Sequence, residues 1–528
     1  MRGRTILRAL VASLCAAVLL WQHFHARPAA RAGAARASEF ASGTAFAMAA
    51  DKPLPPRHWQ LGALNLTSCE LPHLLSGATT AAWCADLKVA ENPARADGRH
   101  IGLHLAVIRS EAARPEADIV VLIAGGPGEA ATQSFADTAL YAGLLKHHDV
   151  LLLDQRGTGG SNPLNCQRTA EGLRALPSRT AAPGADEIRR RVASCLAEVQ
   201  AVADPRYYTT TLAVQDLENV RRALGAPPFD LIGVSYGTRV AQQYLMRHPD
   251  GVRSVVLDSP APNQLFLGEG FAASLEAALK DDFADCRAAP ACRRAFGDPM
   301  QTLHALRDGL HAGAQQVSFR DPRTFLTVSR RLTPDLLVGV VRLFAYEPET
   351  AALLPLSIDA AAHGDFAPLL GQQRLLDADL AGDMNGGMAM SVICSEDAGG
   401  LRARPQDADT MLGNVLVEEI EAQCSVWPHG AMPADFHTPL RSGKPILILS
   451  GARDPVTPPE YGAAIMPGLS NARHLVLRGQ GHAVLARGCM PQLLERFIER
   501  PEPARLDARC LERLGPTPAF VNFNGAAP

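Results

Sequence analysis

Three things are scarce in this 528-residue sequence. The first is charge of one sign: 51 Lys and Arg against 54 Asp and Glu leave a net charge of −3, with no long run of either sign. That excludes the basic footprint of a nucleic-acid binder and gives no field for steering acidic partners. The second is cysteine at metal-ligand spacing. Eleven cysteines are present, yet they form no Cys-x-x-Cys and no Cys/His cluster of the zinc type, so neither a metal nor a cofactor is expected. The third is an apolar run long enough to cross a membrane, which takes about 20 residues. Ile6 to Trp21 falls short of that, and no stable membrane insertion is expected.

What the N-terminus does have is the pattern of a secretory signal. Arg2, Arg4 and Arg8 surround the start of the Ile6–Trp21 run, and an Ala/Arg-rich stretch follows from Ala26 to Ala37. A basic start with a short apolar core marks export, with residues 1–50 as leader. Ala30-Arg31-Ala32 and Ala47-Met48-Ala49 both offer small residues for cleavage, and Cys15 follows Leu14 rather than the small residue of a lipoprotein signal. A periplasmic or secreted location follows. The cysteines beyond Cys15 agree with it, because an even set in an exported chain implies disulfides. They fall into neighbouring couples whose short loops are easily closed: Cys69–Cys84, Cys166–Cys195, Cys286–Cys292, Cys394–Cys424 and Cys489–Cys510.

Six short runs rich in β-branched residues and leucine are bounded by glycine, proline or aspartate: "DIVVLIA" (118–124), "DVLLLD" (149–154), "FDLIGV" (229–234), "SVVLDS" (254–259), "PILILS" (445–450) and "RHLVLRG" (473–479). Continuous apolar runs suit strands buried on both faces of a parallel sheet. Helical stretches such as Leu212–Leu224 and Thr238–Arg247 lie between them, which predicts an α/β fold. Between the fourth and fifth runs the periodicity is mainly helical, with few strand signals. The expected organisation is a first core part over 51–260, a helical cap inserted over 261–443, and a second core part over 444–528.

The chemistry sits in the turns after these strands. "GVSYGT" holds Ser235 with Gly233 and Gly237 at the spacing of a strained strand-to-helix turn that displays a nucleophile. "AGGPGEA" (124–130) lets backbone N–H groups face a ligand. Gly126 and Tyr236 are the expected oxyanion donors. "GARDPVTPP" carries Asp454 and "GQGHAV" carries His482. The order Ser, Asp, His, each beyond a strand's carboxyl end, is that of an α/β-hydrolase triad. In "DQRGTGGSN", Asp154 and Arg156 are expected to pair with each other and brace their loop.

Together "GGPG", "DQRGTGGS", "GVSYGT", "GARDPVTPP" and "GQGHAV" resemble the proline iminopeptidase and tripeptidyl aminopeptidase group of α/β-hydrolases, above all its exported bacterial members. The resemblance runs from about Leu61 to Cys510, and "VICSEDAG" with "CSVWP" resembles the group's cap. It implies an α/β-hydrolase fold, peptide substrates with free N-termini, and serine acylation without a metal. Ala124 replaces the histidine that many cytosolic members carry before "GGPG", and Glu129 replaces the small residue expected after it. An aminopeptidase must hold a protonated α-amine, and Glu396 in "CSED" is the expected carboxylate, with Asp397 as its alternative. A small-ester or amide hydrolase of the same fold, or a non-catalytic binding protein on a hydrolase scaffold, remain open as other readings.

Overall fold

A ten-stranded sheet organises the chain, and all six runs expected as strands lie side by side in it. In the computed structural model, which describes residues 56–73, 76–165 and 184–526 (side chains of 376–383 excepted), the strands are β1 (His58–Leu61), β2 (Leu64–Pro72), β3 (Thr79–Ala90), β4 (His100–Ile108), β5 (Ile119–Ile123), β6 (Asp149–Leu153), β7 (Phe229–Val234), β8 (Val252–Asp258), β11 (Ile446–Gly451) and β12 (Ala472–Leu477). Their spatial order is β1-β2-β3-β4-β6-β5-β7-β8-β11-β12. Everything from β6 to β12 in that order pairs parallel. The antiparallel meander β1–β4, joined to β6 through β4, is the part not expected from sequence. Strands β1–β3 mix exposed and half-buried residues, as in the β2 segment LNLTSCELP, and β4 is continuously buried only over its last four residues, whereas every residue of β5 and β11 is buried.

Alternation along each central strand builds two cores. Val121, Ile123, Leu231, Val255 and Ile448 face one, while Val120, Leu122, Ile232, Val256 and Leu449 face the other. Helix α1 (Thr210–Leu224) leads into β7, and α2 (Tyr236–Arg247) leads out of it. Helix α1 stops at Gly225, in the left-handed region at φ 63°, whose N–H returns to the Arg221 and Arg222 carbonyls. This closes the helix end as a glycine C-cap does.

The segment between β8 and β11 is mainly helical but not one body. Helices α3 (Phe271–Ala288) and α4 (Pro334–Phe344) share a separate apolar cluster through Leu275, Leu279, Phe283, Val340 and Phe344. Between them lies a hairpin of β9 (Gln315–Arg320) and β10 (Thr327–Leu332) that the helical reading of this interval did not include. Helices α5 (Gly386–Glu396) and α6 (Val415–Cys424) instead insert Val392, Cys394, Ile420 and Cys424 into the sheet-side core.

Disulfides Cys69–Cys84, Cys286–Cys292, Cys394–Cys424 and Cys489–Cys510 are formed as expected. Cys195 is disulfide-bonded too; its expected partner Cys166 and the leader 1–50 lie outside the described residues. Among the described residues no helix is long and apolar enough to cross a membrane.

The expected Asp154–Arg156 pair does not form. Arg156 makes a two-pronged contact with Asp216 of α1 instead, Nε to Oδ2 at 2.6 Å and Nη2 to Oδ1 at 2.8 Å. Asp154 accepts from the Thr132 and Gly160 backbone N–H groups. Each carboxylate thus satisfies a different set of donors. The Arg156–Asp216 pair is almost fully buried, at 1 % and 3 % side-chain exposure. Removing one partner of such a pair strands the other charge, which costs about 3–5 kcal/mol. Arg156→Met is therefore expected to lower the unfolding free energy by about that much, with Arg156→Met/Asp216→Leu recovering most of it. Urea titration followed by fluorescence checks both.

Candidate active site

Strand β7 ends at Val234, and the next residue holds a conformation that side chains rarely adopt. Ser235 has φ 55° and ψ −124°, a strained corner of the kind that persists at functional sites. The two flanking glycines make the corner possible. A Cβ on Gly233 would stand 2.4 Å from the Gly237 carbonyl oxygen, and one on Gly237 would stand 2.2 Å from that of Ile123. Ser235 is the residue before α2, yet its side chain caps no helical N–H.

The glycine turn after β5 crosses over this corner. A Cβ on Gly125 would lie 3.1 Å from Ser235 Cβ. Gly126 adopts φ 98°, and Asn385, leading into α5, holds the turn by donating both its backbone N–H and its side-chain amide to the Gly128 carbonyl at 2.9 Å. Tyr236 opens α2, so its N–H is one of the helix-terminal donors that have no intrahelical acceptor. The expected oxyanion residues Gly126 and Tyr236 thus lie on the two segments that meet at Ser235.

Asp454 follows β11 in a turn that its own side chain closes. Its Oδ1 accepts the Val456 and Thr457 N–H groups at 2.9 and 2.8 Å. Its Oδ2 accepts His482 Nδ1 at 2.8 Å and the Thr457 hydroxyl at 2.8 Å. Burial alone would raise the Asp454 carboxyl, but the His482 charge and these hydrogen bonds outweigh it and hold it below its ordinary value. For His482, burial would lower the imidazole; the charge of Asp454 and their hydrogen bond prevail and raise it. Thr457 touches both members, with Oγ1 3.2 Å from His482 Nδ1, and was not singled out in the sequence although it stands in the same "DPVT" turn.

A second residue missed in the sequence is Asp258, at the end of β8. Its carbonyl accepts the Ser235 N–H at 2.9 Å, while its carboxylate accepts the N–H groups of Val484 and Leu485 at 2.8 and 2.9 Å. Burial pushes this carboxyl up to about 6 against the pull of those donors and of His482. From the inserted segment, the Tyr346 carbonyl accepts the His482 N–H at 2.8 Å, and the Tyr346 ring packs edge-on at 5.2 Å from the imidazole.

Glu396 does not occupy the place expected of it. It is only 3 % exposed, and its two oxygens accept the Thr210 N–H at 2.6 Å and the Thr210 hydroxyl at 2.7 Å. It therefore caps the start of α1, a helix remote in sequence, and is closed to a substrate amine. Burial, with the neighbouring Asp397 charge, pushes its carboxyl up to about 8. The alternative, Asp397, is fully buried and consumed by Arg239 at 2.8 Å and by the Leu267 N–H. Thr210 also hydrogen-bonds Tyr236 Oη at 2.6 Å, so Glu396 braces the helix start behind Ser235.

The chain is similar to several known proteins. The family model described as "alpha/beta hydrolase fold" matches residues 118–487. Among curated relatives, the tripeptidyl aminopeptidase of Streptomyces lividans is 29 % identical over 187 residues, 33 % of this chain and 35 % of its own length. The serine protease Hip1 of Mycobacterium tuberculosis is 28 % identical over 249 residues, 43 % of this chain and 46 % of its own. The chain thus spans between about a third and a half of the length of these two relatives. Among solved structures, the proline iminopeptidase of Mycobacterium smegmatis matches with 16 % identity and a TM-score of 0.38, covering 79 % of this chain and 99 % of that one. With its parallel strands in this order, its serine corner after β7 and a family model spanning most of its length, the chain belongs to the α/β-hydrolase family.

Proposed function

We propose that the chain is an exported serine exopeptidase that releases residues or short peptides from free N-termini through an acyl-enzyme. The observation that carries this reading is the Asp454–His482 hydrogen bond of 2.8 Å, tied through Asp258 to the strained corner that holds Ser235. The names of the tripeptidyl aminopeptidase and serine protease relatives support peptides as the substrate class, and the disulfides support export.

The proposed mechanism gives each of these residues one role. Ser235 Oγ attacks the scissile carbonyl carbon as its proton passes to His482 Nε2, and the N–H groups of Gly126 and Tyr236 receive the oxyanion. The tetrahedral adduct collapses by breaking the C–N bond, with His482 returning the proton to the leaving amine. Water then attacks the ester, again giving its proton to His482, and Ser235 is released with the free acid. Asp454 fixes Nδ1 as the protonated nitrogen and stabilises the imidazolium.

Burial of Glu396 favours a second reading, a hydrolase of small esters or amides, since it removes the expected amine anchor. Amides of Pro, Ala and Ala-Ala-Pro with a chromogenic leaving group, beside N-blocked versions and simple esters, separate the two. Release from free-amine amides alone supports the exopeptidase; release from esters alone supports the alternative.

Ser235→Ala is expected to cut turnover by about five to six orders of magnitude with folding intact. Turnover near the wild-type level in the purified variant would overturn the assignment. The base works only when neutral, and the raised His482 pKa places the acidic limb of the kcat/KM profile above the ordinary histidine value of 6.5. Asp454→Asn removes the charge that raises it. The limb is expected to move to lower pH while the plateau falls about 10³- to 10⁴-fold; rate measurements from pH 5 to 9 read both.

A further inference from the structure

We propose that Glu129 is the specificity-determining carboxylate that receives the free α-ammonium of the substrate's first residue, so that residues leave the N-terminus one at a time. The inference rests on the exopeptidase reading and replaces the anchor that Glu396 cannot supply.

Glu129 directly follows the glycine turn that crosses Ser235. Its Oε2 accepts the Gly125 N–H at 3.1 Å. A Cβ on Gly125 would lie 3.3 Å from that oxygen and 3.1 Å from Ser235 Cβ, so carboxylate and nucleophile flank one point of the turn. The position is preset, because the Glu129 backbone bridges to Met384 of the inserted segment. Met384 Sδ in turn lies within about 3.3 Å of where side chains on Gly126 and Gly128 would begin. Unlike Glu396, Glu129 is partly exposed. Among the described residues it has no ion-pair partner at contact distance, and Gly125 is its one hydrogen-bond donor. Packing around it raises its carboxyl above the ordinary value, with the Gly125 N–H and the His482 charge opposing that rise. A desolvated carboxylate with no cationic partner in contact is stabilised when a cation arrives beside it.

The spacing selects the first residue. In a reactive complex the scissile carbon lies about 3–3.5 Å from the nucleophile. The α-nitrogen of the same residue is two bonds from that carbon, and a charge-assisted hydrogen bond adds about 2.8 Å. An anchor for the first residue's amine therefore belongs beside the nucleophile, as Glu129 is. An anchor for a tripeptide's amine would stand two residues farther out, each adding about 3.3 Å.

A negative charge next to the oxyanion turn also opposes the charge that develops there, unless a cation lies between them. A free α-ammonium supplies that cation, whereas an N-blocked acyl group does not. Glu129 thus favours free N-termini and disfavours blocked ones with a single charge.

The test compares alanine p-nitrophenyl ester with its N-acetyl form, and alanine and proline p-nitroanilides with Ala-Ala-Pro p-nitroanilide, on wild type, Glu129→Gln and Glu129→Asp. Gln retains an oxygen for the Gly125 N–H, and thermal melting checks that the fold is kept. The expected result is a 10- to 100-fold fall in the free-over-blocked ratio of kcat/KM in Glu129→Gln, with the blocked ester gaining rate, and a smaller fall in Glu129→Asp. Equal losses on both esters, an unchanged ratio, or no wild-type preference for the free amine would each overturn the proposal. Release of the intact tripeptide without action on the single-residue anilides would overturn the one-residue step. A Glu129-dependent preference on the esters with no amide cleaved would instead sink the exopeptidase reading and leave Glu129 as the amine site.

Discussion

The site depends on one aspartate that takes no part in the Ser-Asp-His relay. Asp258 holds the Ser235 N–H with its main-chain oxygen and the loop after His482 with its side chain. These hydrogen bonds join β8 to both the corner after β7 and the loop after β12. A nucleophile and its base on separate loops would each wander on a scale that acyl transfer does not tolerate, since a misplacement of about 1 Å costs about 100-fold. One buried carboxylate with two amide donors removes that freedom. Burying it is costly, as its raised carboxyl shows, and the two N–H groups offset the cost because they too would otherwise be unsatisfied.

The parallel half of the sheet and the chemistry at its edge were legible in the sequence because both are local. A continuous apolar run needs no partner to be recognised, and the glycines around Ser235 mark a clash that any side chain there would meet. Features that depend on distant partners were not. Strands β1–β3 are broken by polar residues, and in β4 the continuously buried stretch is only the four residues that pair with β6. The hairpin β9–β10 is mostly exposed on β9 and mostly half-buried or buried on β10, and it carries little apolar signal.

Charges show the same limit more sharply. Only two apart in "DQR", Asp154 and Arg156 find separate partners, Asp154 the Thr132 N–H and Arg156 the Asp216 carboxylate of α1. Glu396 was expected to meet a ligand because it stands beside a disulfide in the inserted segment. That segment's last two helices fold back into the sheet-side core, which carries Glu396 away from solvent and onto the start of α1. Glu129 attracted notice only as a departure from an expected small residue; its place beside Ser235 required the turn's path.

The Tyr346 carbonyl that accepts the His482 N–H belongs to the inserted segment and not to the sheet. A swing of that segment away from the sheet would therefore also release the backbone of the base. Opening would thus cost the base one of its supports, while the contacts to Asp454 and Asp258 remain. One backbone hydrogen bond thereby links the seating of the inserted segment to the setting of the imidazole.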